Sequence, residues 1–167
     1  MIPSAIVYTS RTGFTRQYAQ MLGKQVGLPV YSLEDGLYGL PQGTGIIYLG
    51  WIFASHVQGY AKARKRFSIC AVCGVGLCDT GTLLEQVRSA TGIPSEIPLF
   101  TLQGGFDRSK LKGPNKLLIS MLVKGLSSQA QRSPQDERML QLLQKDGSYV
   151  SLDNLSRVLI WYQFLVK

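Results

Sequence analysis

Five short apolar runs separated by helix-compatible stretches constrain the fold of this chain more than any other feature. They fall at residues 5–8, 30–33, 46–49, 69–73 and 99–102, are rich in Val, Ile, Tyr and Phe, and do not alternate cleanly with polar residues. Strands of a parallel sheet read this way, because helices bury both of their faces. The intervening segments 15–26, 55–66, 80–91 and 115–126 have helix-forming composition. Thr80 and Thr82 stand where they can cap the third of these, with Glu85 near its positive end. Residues 35–44 are short and glycine-rich, which predicts an abbreviated second crossover. The alternation predicts a doubly wound α/β fold, with a five-stranded parallel sheet in the order 2-1-3-4-5 between two helical layers. With 167 residues, 45% of them hydrophobic, the chain can cover both faces of such a sheet as one domain, 1–167.

The last part of the chain reads as helical. Pro134 follows Ser133 at a helix start, Asp136 and Glu137 fall in the first turn, Lys145 lies near the end, and Gly147 stops the run. A second helix is predicted over 153–166. Its stripe of Leu155, Val158, Leu159 and Tyr162 has the spacing of a core face and is expected beside strand one.

No apolar run reaches the roughly 18 residues that a membrane-spanning helix needs. Residues 1–10 lack a basic leader region, so the expected location is cytoplasmic. Of the three cysteines, Cys70 and Cys73 are three apart within a predicted strand. That spacing points them to opposite faces and predicts reduced thiols; Cys78 falls in the following loop.

The net charge of +8 is uneven. Lys62, Arg64, Lys65 and Arg66 form one block, and Arg108, Lys110, Lys112, Lys116 and Lys124 form another. Such blocks favour anionic partners or are solvated helix faces. There is no paired-carboxylate site, no metal cluster and no Walker-type Gly-Lys-Ser/Thr turn. His56 is the only histidine.

Residues 8–15, YTSRTGFT, join the first strand to the first helix. Thr9, Ser10, Thr12 and Thr15 supply hydroxyls, Arg11 a cation, and Gly13 close access to the backbone, all at the positive end of a helix. This chemistry suits a phosphate and works without a lysine. The hydroxyl-and-glycine turn resembles the FMN-phosphate loop of flavodoxins. With an arginine between the hydroxyls and the glycine, it is most similar to that of the flavodoxin-like, menaquinone-dependent protoporphyrinogen oxidases. The likeness runs in pattern to about residue 126. It implies a flavodoxin-like sandwich and an FMN-binding redox protein that carries electrons to a redox partner protein or a quinone. It also implies an alternative, a protoporphyrinogen dehydrogenase passing electrons to a quinone at the membrane surface. A flavin-free binding module of the same fold is a third reading.

In open α/β sheets ligands bind beyond the carboxyl ends of the strands, where the strand order reverses. The expected ring site lies between the segments after strands three and four, residues 50–56 and 74–80. Trp51 and Phe53 can cover a flat ring, although Trp51 fits a core position equally well, and glycines in the second segment let backbone groups approach. The candidate cofactor-binding residues are therefore Thr9, Ser10, Arg11, Thr12, Gly13, Phe14, Thr15, Trp51, Ile52, Phe53, Ala54, Gly74, Val75, Gly76 and Asp79. FMN is expected rather than a dinucleotide, which calls for GxGxxG and a downstream acid. The basic stretch 108–116 entering an apolar helix suits either an anionic bilayer at the inner face of the membrane or a core helix covering strand five. Nucleic acid is not an expected partner.

Overall fold

The predicted strands form a mostly parallel sheet, and two of them run further than the apolar runs suggest. The computed structural model describes residues 1–167 except Leu111, Lys112, Gly113, Arg132 and Lys145, and except the side chains of Arg108, Pro114, Asn115, Lys116, Leu118 and Gln135. In chain order the first half holds β1 (Ala5–Thr9), α1 (Phe14–Val26), β2 (Val30–Ser32), α2 (Leu33–Gly39), β3 (Gly45–Phe53), β4 (His56–Val57), α3 (Tyr60–Arg66) and β5 (Ser68–Gly76). Then come α4 (Leu84–Thr91), β6 (Leu99–Gln103), β7 (Gly105–Phe106), α5 (Pro114–Ser128), α6 (Pro134–Gln144), β8 (Gly147–Ser148) and α7 (Ser156–Leu165). The parallel strands pair in the order β2-β1-β3-β5-β6. This departs from the expected 2-1-3-4-5 by one insertion, the short β4, which pairs antiparallel with the end of β3.

Side-chain alternation along the strands divides the core. Ala5, Val7, Ile46, Tyr48 and Val72 face α2, α3 and α4, through Leu33, Tyr60, Ala63 and Val87. Ile6, Ile47, Leu49, Ala71 and Cys73 face the other way, onto Phe14, Tyr18, Ala19 and Leu22 of α1 and onto Leu155 and Val158. Period two on the strands and the i, i+4 and i+8 stripe on α1 meet in one layer. Gly27 ends α1 in the left-handed conformation, its N–H donating to the Gly23 carbonyl.

Several expectations are corrected. The predicted helix at 55–66 is a hairpin followed by a short helix. Ala54 and Ser55 take φ of 46° and 65°, which reverses the chain and pairs Val57 with Ile52. Only Tyr60–Arg66 is then helical, behind Gly59, where an added Cβ would strike the hydroxyls of Tyr48 and Thr9. Thr80 and Thr82 do not cap α4. The Thr80 hydroxyl accepts from the Gln103 N–H (3.0 Å) and that of Thr82 donates to the Asp79 carbonyl (2.6 Å), so α4 starts later, at Leu84. The ladder between β3 and β5 shifts at Cys70, which has no partner in register, so strict alternation does not carry through from Cys70 to Cys73. All three cysteines are free thiols. The 153–166 helix is a 3₁₀ turn, Asp153–Leu155, followed by α7. Its Trp161 packs on Phe100 of β6 with ring centroids 6.0 Å apart, so α7 sits beside α1 toward β6 rather than at β1.

The segment between β7 and β8 forms an arm. α5 and α6 bury Leu126, Leu140 and Leu143 against Phe106, with Leu77 and Ile119 alongside, so α5 packs on α6 rather than covering the fifth strand of the sheet. Ser133 caps α6, accepting from the Asp136 N–H (3.1 Å) and donating to its carboxylate (2.7 Å). Lys145, expected near the end of that helix, lies outside the described residues, and Gly147 pairs in β8. No helix among the described residues is long and apolar enough to cross a membrane.

Candidate functional site

The turn between β1 and α1 stands at the carboxyl end of the sheet, between β2 and β3. Gly13 takes φ 99° and its N–H donates to the Ser10 hydroxyl (3.2 Å), folding the turn back on itself. Of the four hydroxyls, that of Thr9 is turned aside. Tyr48 donates its phenol hydrogen to the Gln58 carbonyl (2.8 Å), so it accepts from Thr9 (2.7 Å). Thr12 and the buried Thr15 open the helix. Lys110, far along the chain, donates to the Thr12 carbonyl (3.2 Å) and lies 5.9 Å from the centre of the Phe14 ring. The turn therefore has a lysine beside it after all, itself paired with Asp107 at 3.3 Å.

Beside this turn is a recess of about 130 Å³, lined by Arg11, Thr12, Phe14 and Thr15 on one element and by Trp51, Ile52, Phe53, Val75 and Gly76 on the strands. The Arg11 guanidinium lies 5.7 Å from the centre of the Trp51 ring, and Trp51 and Phe53 are 5.8 Å apart. Trp51, Ile52 and Phe53 belong to β3, and Gly74, Val75 and Gly76 to β5, so strand ends rather than loops build this wall. Leu77, Gly104, Gly105, Phe106 and Ile119 complete it. An adjoining apolar cavity of about 640 Å³ shares Ile52, Phe53, Gly76, Leu77 and Ile119 and extends to Ala54, Asp79, Met121, Leu122 and Met139.

Fourteen of the predicted residues thus line the turn or these two cavities. Gly74 does not. Its α-carbon faces Ile52 and Val57, and an added Cβ would come within 2.9 Å of Ile52. The Asp79 carboxylate is held by Arg138 of α6 at 2.7 Å, so it brings little net charge to the cavity. Burial pushes the Cys78 thiol up from its ordinary value, and Asp79 adds to this. His56 is exposed on β4 and its Nδ1 donates to the Ala54 carbonyl at 2.7 Å. Sequence reasoning missed Lys110 and Gly104–Phe106 as parts of the site. The paired glycines at 104 and 105, directly after a strand, were the available signal.

Of the two basic blocks, the first lies on α3. Arg66 donates to the Leu40 carbonyl (2.9 Å) and Arg64 lies 5.9 Å from the centre of the Tyr60 ring. In the second, Lys112 and the side chains of Arg108 and Lys116 lie outside the described residues. α5 leaves Leu117, Met121 and Leu122 exposed. Compared with known protein families, curated proteins and solved structures, the chain matches none.

Proposed function

We propose that the chain is a flavodoxin-like FMN protein that carries electrons through a non-covalently held flavin. One observation carries this reading: a hydroxyl-lined, cation-flanked turn at a helix start directly adjoins an aromatic recess at the carboxyl end of a parallel sheet. The residues fit the group. Ser10, Thr12, Thr15 and the backbone about Gly13 suit the phosphate, with Arg11 and Lys110 offsetting its charge. Trp51 and Phe53 suit a flat ring, and the adjoining cavity provides the room that the recess alone lacks for three fused rings. Bound FMN supplies one- and two-electron transfer. The chain's own residues hold and orient it and, through Phe106 and the arm, exclude water from one side.

A second reading, FMN-dependent protoporphyrinogen dehydrogenase passing electrons to a quinone, is favoured by the apolar cavity of about 640 Å³ beside the recess. On either reading the expected compartment is the cytoplasm, with a redox partner protein or a quinone as acceptor. Turnover with protoporphyrinogen and a menaquinone analogue separates the two.

The test of flavin binding is a titration of the purified protein with FMN and with riboflavin. FMN should bind, and it should stabilise the fold by about 2.7 kcal/mol at 100-fold excess over its dissociation constant. Riboflavin, lacking the phosphate, should bind much more weakly. Thr12→Ala and Gly13→Val should both reduce FMN affinity, the valine more. Space around Gly13 is open, with Lys110 Nζ 4.0 Å from an added Cβ, so the cost comes from its backbone: φ 99° costs an L-residue about 1–2 kcal/mol. Equal affinity for FMN and riboflavin would refute the assignment.

A further inference from the structure

On the other side of the phosphate turn lies an open groove of about 840 Å³ at the carboxyl ends of β1 and β2. Its character is the reverse of the aromatic recess. Arg16 of α1 and Lys62 of α3 line it together with the Ser10 hydroxyl, and neither cation has a carboxylate partner among the described residues. Three cations, Arg11, Arg16 and Lys62, and a hydroxyl beside one space, against the single carboxylate of Glu34, suit an anion. Glu34 lines the same groove, at the start of α2. The cap of that helix is completed by Ser32 and Asp35, which leaves the Glu34 carboxylate outside it. Tyr38, 87% exposed, and Leu37 offer flat and apolar cover.

Each part matches one part of a nucleotide: cations for a phosphate, a carboxylate for ribose hydroxyls, a ring for a base. In doubly wound sheets an acid about 20 residues after the glycine of the first turn takes the ribose hydroxyls, and Glu34 stands at that distance from Gly13. The chain lacks the GxGxxG turn, so here the contacts fall on side chains.

We propose that this groove accepts an adenosine 5′-phosphate group, the adenylate half of FAD, with the turn carrying the pyrophosphate between flavin and adenosine. The proposal rests on the flavin reading and revises its ligand: the flavin site stays where it is, and the flavin it holds becomes FAD in place of the FMN expected from the turn alone.

Titrating the protein separately with FMN, FAD and AMP tests it. FAD should bind at least about tenfold more tightly than FMN. Arg16→Ala with Lys62→Ala should abolish that advantage while leaving FMN affinity within about twofold, since both line the open groove and neither lines the aromatic recess. Glu34→Gln should reduce it in part. AMP should displace FAD, and that competition should be lost with the double substitution. Arg16, Lys62 and Glu34 are all exposed, so the variants should fold. If FMN binds and FAD binds no better, or if the FAD advantage survives the double substitution, the adenylate site is wrong and the flavin site stands. If neither flavin binds, both fall.

Discussion

Cys73 shows how one buried side chain ties stability to pH. It is fully buried in the layer between the sheet and α1, and desolvation pushes its thiol from 9.0 up to about 12. The folded state therefore keeps the proton that the unfolded chain releases. This contribution is complete below about pH 9 and is lost as pH rises toward about 12. Burial raises Tyr18, Tyr48 and Tyr60 as well, so their phenols act in the same direction. Urea midpoints should fall steadily above about pH 9. Cys73→Ala should flatten that fall, at the cost of roughly 1 kcal/mol at neutral pH for the lost packing. An equally steep decline in the variant would assign the effect to the tyrosines and to Cys70 and Cys78, which burial also raises. At this scale the turn between β1 and α1 was legible as a turn, because it is contiguous and its hydroxyls, arginine and glycine are read directly. The diversion of Thr9 to Tyr48 was not legible, because it depends on which atoms lie across the sheet.

The secondary-structure elements were legible in kind but less so in their ends. Apolar composition marks where a strand is buried, and β3 and β5 continue past that: β4 partners the exposed end of β3, and β6 partners the end of β5 through Gly76. The hairpin itself left little trace. A tight turn with positive φ at both central residues favours Asn or Gly, and here Ala54 and Ser55 occupy it. That mismatch makes a prediction. Ala54→Gly should relieve the left-handed strain and raise stability by up to about 1 kcal/mol, after the entropy cost of the added glycine. Chemical denaturation should show a higher midpoint at unchanged slope. No gain would mean that the turn relaxes in solution to a conformation that alanine accepts. The apolar stripe of α5 was likewise readable, whereas its partner α6 was not, since periodicity shows that a face is buried without showing against what.

At the scale of the whole molecule, charge and exposed apolar surface coincide on the arm. Leu117, Met121 and Leu122 are exposed on α5, with Lys124 exposed on the same helix and Lys110 just before it, in a chain of net charge +8. Each cation near an anionic bilayer contributes about 1 kcal/mol, and salt removes that attraction as the screening length falls from about 10 Å at 0.1 M to about 3 Å at 1 M. Acidic vesicles should sediment the protein at low salt and release it near about 0.5 M. Leu117→Glu should weaken the association by adding both a charge and a polar group to the apolar face. Binding indifferent to lipid charge and to salt would leave these lysines as solvated surface.

The clasp between β7 and β8 also bears on how such a chain can change over time. Gly105 pairs with Ser148 and Phe106 with Gly147, and the Tyr149 N–H donates to the Gly104 carbonyl at 2.7 Å. The chain thus leaves and rejoins the sheet-bearing body at nearly one point. What lies between is a cassette, because its length can vary at a small closure cost without altering any ladder of the sheet. Lineages can therefore lengthen, trim or exchange it, and so retune which surface the protein meets, while the glycine turn and its strand stay in register.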